Sequence, residues 1–282
     1  MRRSSIVLAV LCAASAPAGA NKPSNPAFLG IGMQDVPGGL GGSAHGGQCT
    51  VMSIERGSGA EAAALQPGDV LELLDGAPVP NCNTLISLIT SRSPGTVIRL
   101  YIRRHAQPLQ LKAELLTRDE ILRRRLVGRL VPATDLLRVR DGARVDLGDA
   151  RRTTIVGWFP TSCGGCADVF GAVARWNRER ADRRAPISVL AATANLTTHA
   201  SALDNLEQLK PAQRALDVPL LAADLETYTR FAMKDTDRVH FMVIDDRGTV
   251  QYVAPIAPRS DDTRAALDEL YAAAEQTART IR

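Results

Sequence analysis

The chain has 282 residues, enough for two ordinary domains, and 45% of them are hydrophobic, so it can bury sizeable cores. Its 34 basic and 30 acidic residues nearly balance, leaving a net charge of +4. There is no long Lys/Arg block with interleaved aromatics, so nucleic acid is not implied, and Arg123-Arg124-Arg125 reads as a solvated helical face.

Residues 1–20 read as a secretory signal: Arg2 and Arg3 are basic, Ile6 to Ala16 is a short apolar run, and Ala18-Gly19-Ala20 fits a small-x-small cleavage site. Cleavage is predicted after Ala20. Cys12 is a poor lipidation site, because bulky Leu11 precedes it where a small residue is wanted. No later segment approaches about 18 uninterrupted apolar residues. The expectation is a periplasmic or secreted protein with no membrane span after cleavage. Without Cys12, Cys49, Cys82, Cys163 and Cys166 remain. An even number outside the cytoplasm suits one structural pair and one active pair.

From residue 28 to 115, strand-like runs alternate with turn signals. Phe28-Leu29-Gly30-Ile31 is apolar, Pro37 to Gly47 is a glycine-rich loop, and Thr50 to Ile54 is a strand. A short helix over Ser58–Leu65 leads through the turn Gln66-Pro67-Gly68-Asp69 to a strand at Val70–Leu74. Asp75-Gly76 is a tight turn. Asn83–Arg92 is a helix with Leu85, Leu88 and Ile89 on one face, and Thr96–Ile102 is read as the closing strand. His45 and His105 fall in loops and carry no assigned role.

This stretch resembles a PDZ domain of the kind attached to bacterial periplasmic serine proteases. The residues that carry the resemblance are Phe28-Leu29-Gly30-Ile31, the run Gly57 to Val70, and Asp75-Gly76. It implies a β-rich partial barrel with two helices. It also implies that the N–H groups of Leu29, Gly30 and Ile31 hold the C-terminal carboxylate of a protein or peptide. That peptide would add as a strand beside Gly32-Met33-Gln34, against the helix bearing Leu85 and Leu88. In the resembled fold Cys49 and Cys82 lie at one end of the domain, which implies a structural disulfide; two free buried thiols are the alternative.

Leu111 to Arg129 is helical in pattern and highly charged, and the segment 116–135 is read as an ordered helical linker ended by Pro132. Residues 136–282 then give a hairpin over Leu136–Ala150, a strand at 152–159, a helix at 166–182 and a strand at Ile187–Ala192. A helix at about 199–216, Val218–Leu221 and a short helix at about 225–233 follow. A hairpin of Val239–Ile244 with Val250–Pro255 and a final amphipathic helix complete the chain. Alternating strands and helices ending in a hairpin predict an α/β sheet with helices on both faces.

Cys163-Gly164-Gly165-Cys166 sits between the strand Thr154–Phe159 and the helix that follows. At a helix N-terminus, backbone N–H groups and the helix dipole favour a thiolate. A thiolate with a second cysteine three residues on can attack a disulfide and then be released by its neighbour.

This half resembles the thioredoxin superfamily, in its branch of extracytoplasmic thiol reductases and peroxiredoxin-like proteins. The resemblance is carried by Asp141-Gly142, Val145-Asp146-Leu147, Trp158 to Cys166, and Phe241 to Gly248. It implies that Cys163 is the attacking nucleophile, that Cys166 resolves the mixed disulfide, and that a redox partner protein completes the cycle without a cofactor. Three positions depart from the pattern. Ser162 stands where Trp is usual, Gly157 where a buried acid or amide is common, and Val239 where the family has a cis-proline. A cis non-proline bond costs about 3–4 kcal/mol, so a trans bond is expected at Val239.

His240 is the residue to weigh beside these modulators: it either approaches Cys163, or joins Cys163 and Cys166 as a ligand, as in copper chaperones of the superfamily, or satisfies a local hydrogen bond. Structural zinc is not expected, because four ligands are wanted and one Cys-x-x-Cys exists. His199 is read as a surface residue. The leading function is a thiol–disulfide oxidoreductase. A metal-handling protein and a non-catalytic peptide-binding module are the alternatives.

Overall fold

The computed structural model describes residues 26–37, 47–149, 151–180, 186–196, 200–232 and 238–280. The signal segment, most of the glycine-rich loop with His45, and His199 lie outside the described residues. Among those described, no helix is long and apolar enough to cross a membrane.

The first half is built from β1 (Ile31–Pro37), β2 (Gly47–Ile54), α1 (Gly59–Ala62), β3 (Val70–Leu74), β4 (Ala77–Pro78), α2 (Cys82–Thr90), β5 (Val97–Arg104) and β6 (Gln107–Glu114). The sheet runs β1-β2-β3-β5-β6, with β4 paired to β3, so β1 is an edge strand. Its core is Leu71, Leu74, Leu85, Ile98, Leu100, Ile102 and Leu115, all essentially fully buried. Both helices start on side-chain caps: Ser58 accepts from Glu61 N–H and Asn81 from Thr84 N–H.

Two expectations are corrected here. Val97–Arg104 does not close the sheet, and the helical pattern does not begin at Leu111: Gln107–Glu114 is a strand paired along its whole length with β5. The two strands turn through His105 and Ala106, whose φ angles are +49° and +63°. A two-residue hairpin of this kind needs positive φ at both positions and usually announces itself with Asn or Gly. His-Ala gives no such signal, and the charged run after it imitates a helix.

Asp69 is fully buried at the turn before β3. It accepts from Arg104 Nε at 2.7 Å, Arg104 Nη2 at 2.8 Å and Gln66 N–H at 2.8 Å. Burial opposes its ionisation, but the Arg104 fork and the Gln66 N–H outweigh it and hold the carboxyl below its ordinary value. The unfolded chain therefore takes up a proton first as pH falls. The pair's contribution is complete above pH ~4 and is lost as pH drops through the lowered native value. Asp69→Asn is expected to cost about 2 kcal/mol at neutral pH and to flatten the acid limb of the stability profile. Chemical denaturation followed between neutral and acidic pH checks both.

The second half holds α3 (Arg118–Leu126), β7 (Leu136–Arg138), β8 (Arg144–Val145), β9 (Thr153–Trp158), α4 (Cys166–Glu179), β10 (Ile187–Thr193), α5 (Ala202–Arg214), β11 (Leu220–Ala222), α6 (Leu225–Phe231), β12 (Val239–Ile244), β13 (Val250–Ile256) and α7 (Thr263–Thr280). The sheet order is β13-β12-β9-β10-β11-β7-β8. The central strands β9 and β12 are buried at every position, the pattern of a sheet covered on both faces. One face carries Phe170, Val173, Leu209, Leu270 and Ala274 from α4, α5 and α7. The other carries Ile121, Leu122 and Leu126 of α3 with Tyr228 and Phe231 of α6.

The segment read as a linker is thus a packed layer of the second sheet. Arg123 Nε donates to Val253 O at 3.3 Å, and Asp119 pairs with Arg238 at 3.0 Å. Beyond α3 the backbone is stitched to the start of β13, through Gly128 N–H to Val250 O and Val131 N–H to Gly248 O, both 2.8 Å. The same helix and Leu116 just before it meet the first half. Phe28 and Leu116 exchange backbone hydrogen bonds of 2.8 and 2.9 Å, Arg118 lies 4.3 Å over the Phe28 ring, and Arg125 reaches Glu55 at 3.4 Å.

Candidate functional site

The cysteine pair occupies the loop that joins β9 to α4. Thr193 Oγ1 donates to Phe159 O at 2.6 Å and Phe159 N–H donates to Ala192 O at 3.1 Å, so the loop leaves the sheet from a pinned position. Cys163 N–H donates to Pro160 O at 3.0 Å, which turns the chain. Gly165 is the N-cap of α4 at φ +95°, a left-handed conformation suited to glycine. Cys166, rather than Cys163, is the first residue of the helix, and the two sulfurs form a disulfide with Cα atoms 5.7 Å apart. Cys163 is half-buried while Cys166 is buried, so Cys163 is the more exposed residue of the pair. Ser162 is exposed beside it.

Gly157 has a packing reason. A Cβ there would lie 2.6 and 2.7 Å from Phe170 ring atoms and 2.7 Å from a Phe241 ring atom. The two rings, with centroids 5.3 Å apart, fill the volume a side chain would need. Gly157→Ala is expected to cost about 1–3 kcal/mol by overpacking, read as a lower denaturant midpoint, and Gly157→Asp to cost more. Val239 is buried on the same face as Cys166, Phe159 and Phe241. No cis peptide bond occurs among the described residues.

His240 does not join the cysteines. Alternation along β12 sends Val239, Phe241 and Val243 to the face that holds Cys166, and Met242 and Ile244 to the opposite face. His240 shares the parity of the second set and pairs directly with Trp158, which packs there against Phe231 and Tyr228. The expectation that His240 could reach Cys163, or complete a ligand set with Cys163 and Cys166, is corrected. Its fully buried ring belongs to the α3/α6 side of the sheet.

In the first half, Cys49 and Cys82 form a disulfide with Cα atoms 4.7 Å apart, tying β2 to the first residue of α2. Asp35 stands opposite Cys49 in the β1–β2 register, and its Oδ1 accepts from Cys82 N–H at 2.7 Å. These contacts fix one end of the groove between β1 and α2. At its other end, the Leu29 and Gly30 N–H groups donate to no acceptor among the described residues. Leu85 is fully buried under the groove, and Leu88, Ile31 and Met33 are partly buried along it. Asp35, Cys49 and Cys82 bring three potential metal donors together, but the two sulfurs are spent in the disulfide.

An edge strand, an apolar helix face beside it and, among the described residues, two N–H groups with no acceptor at its start form the kind of groove to which an extended peptide can add as a strand. Residues 27–115 match the PDZ domain family, and the chain contains a PDZ domain over that span. No curated protein matches the chain. Among solved structures it is similar to an HtrA-type protease, AlgW, with decapeptide, at 23% identity over 33% of this chain and 30% of that one, TM-score 0.30. The HtrA3 PDZ domain bound to a phage-derived ligand (FGRWV) is 21% identical over 32% of this chain and 86% of that one, TM-score 0.28. A candidate protein disulfide isomerase from Bacteroides thetaiotaomicron is 15% identical over 52% of this chain and 87% of that one, TM-score 0.38. The chain spans about 30% of the length of the HtrA-type protease.

Proposed function

We propose that this protein is a thioredoxin-like thiol–disulfide oxidoreductase of the periplasm or an extracellular space, whose PDZ domain holds the C-terminus of a protein partner. The observation that carries the reading is the bonded Cys163–Cys166 pair at the start of α4, with Cys163 half-buried and Cys166 buried. In the reduced form, the Cys163 thiolate attacks one sulfur of a substrate disulfide. That S–S bond breaks, a mixed disulfide forms and the first substrate thiolate leaves, to be protonated by water. Cys166, once deprotonated, attacks the Cys163 sulfur, and the second substrate thiolate departs. The substrate is reduced and the pair oxidised; an external dithiol partner restores it. The same steps in reverse oxidise a substrate dithiol.

The PDZ groove supports a tethering role. Leu29, Gly30 and Ile31 would cradle the terminal carboxylate, β1 would pair with the peptide backbone, and Leu85, Leu88 and Met33 would contact its side chains. Tethering raises the local concentration of the partner's disulfide at Cys163. The test is reduction of a protein disulfide by the dithiol-reduced protein, with and without Cys163. Turnover that persists at full rate without Cys163 would overturn the reading.

A further inference from the structure

We propose that Arg259, on the loop between β13 and α7, sets the thiolate character of Cys163; the inference rests on the redox reading above. A Cβ built on Gly164 would lie 3.7 Å from Arg259 Nη2, and one built on Gly165 would lie 3.7 Å from Arg259 Nε. The guanidinium therefore runs along the two-glycine turn that separates the cysteines. Pro258 seats it there, 3.2 Å from the same Gly165 position. The absence of side chains at 164 and 165 lets an arginine lie this close. Among the described residues, Arg259 forms no ion pair.

Other charged groups belong to the elements around the turn. Asp168, in the first turn of α4, has Oδ2 3.9 Å from the Gly165 Cβ position and opposes Arg259. Asp261 and Asp262 are exposed further along the same loop. Arg238, just before β12, is engaged by Asp119 of α3 at 3.0 Å. The β9–α4 loop brings only uncharged Thr161 and Ser162. Among the described residues, Arg259 is thus a cation laid against the turn itself. A positive charge there favours the deprotonated sulfur, and so supports attack by Cys163 and its departure as a leaving group.

The test uses the full chain with its Cys49–Cys82 bond intact and Cys166→Ala, so that Cys163 is the titrating thiol, followed by ultraviolet absorbance of the thiolate against pH. Arg259→Gln is expected to lower the thiolate fraction at neutral pH by about threefold to tenfold. Arg259→Lys should retain most of it, and Asp168→Asn should raise it. The Arg259→Gln effect should shrink in about 1 M salt, where exposed charges are screened. With Cys166 restored, the equilibrium against glutathione should shift by a similar factor toward the disulfide. A change below twofold, or one that neither lysine rescues nor salt diminishes, would overturn the proposal. Failure of the wild-type protein to reduce any disulfide would instead remove the redox reading, since the titration requires no turnover.

Discussion

Replacing Cys163 with serine is expected to lower the rate of disulfide reduction by about a thousandfold or more, the scale seen when a covalent nucleophile is removed. Serine keeps the size of the side chain, so the fold should hold. The loop is fixed by Cys163 N–H on Pro160 O and by the Thr193–Phe159 bond rather than by the sulfur alone. Cys166→Ser should behave differently. Cys163 remains half-exposed and competent to attack, but no second thiol breaks the mixed disulfide, so the variant should accumulate covalently linked to its substrate. Mass spectrometry of the protein after incubation with a disulfide-bonded peptide reads the adduct. Equal activity in the two variants and the wild type would sink the assignment.

The second large effect concerns stability. Cys49→Ala with Cys82→Ala removes a cross-link that spans 33 residues of sequence. On the chain-entropy model this costs about 3–4 kcal/mol. A second consequence follows from where the bond lies. It ties α2 to β2 beside the Asp35–Cys82 N–H bond, at the end of the groove away from Leu29 and Gly30. Without it the helix wall of the groove is held at that end by Asp35 alone. Affinity for a peptide ending in a free carboxylate should fall while the reactivity of Cys163 stays unchanged. Calorimetric unfolding and peptide titration of the double variant check the two parts separately. A variant that binds as tightly as the wild type would mean that the groove is organised by packing.

Most elements of this fold are legible in the sequence because its strands and helices carry strong local signals. Val70–Leu74 is bounded by Pro-Gly-Asp and Asp-Gly turns, and Val239–Ile244 by the turn at Asp246-Arg247-Gly248. The Cys163/Cys166 placement follows from the strand before it and the helix after it. β6 escapes because its turn is made by His105-Ala106 and because Leu111 to Glu114 runs on into residues that do form a helix. His240 escapes for another reason. Which face of a sheet a fully buried strand turns toward a given neighbour depends on register, and a strand buried on both sides has no polar alternation to reveal it. Gly157 and Arg259 are tertiary facts: one depends on two rings meeting above a strand, the other on a loop from the far end of the chain.

The helix α3 gives the molecule a common wall. Its apolar side closes the layer over Trp158 and Phe231, while its backbone is met by Gly57 of the first half, where a Cβ would sit 2.7 Å from Ile121 O and 2.8 Å from Arg125 N. A cut at residue 115 would deprive the PDZ unit of the Leu116 partner of Phe28, and a second-half fragment that began after α3 would bare an aromatic face to water. The two halves are therefore not interchangeable cassettes. Grafting another domain onto this second sheet would require carrying the α3 contact surface with it, so change in the pair is constrained at the wall more than in either groove or loop.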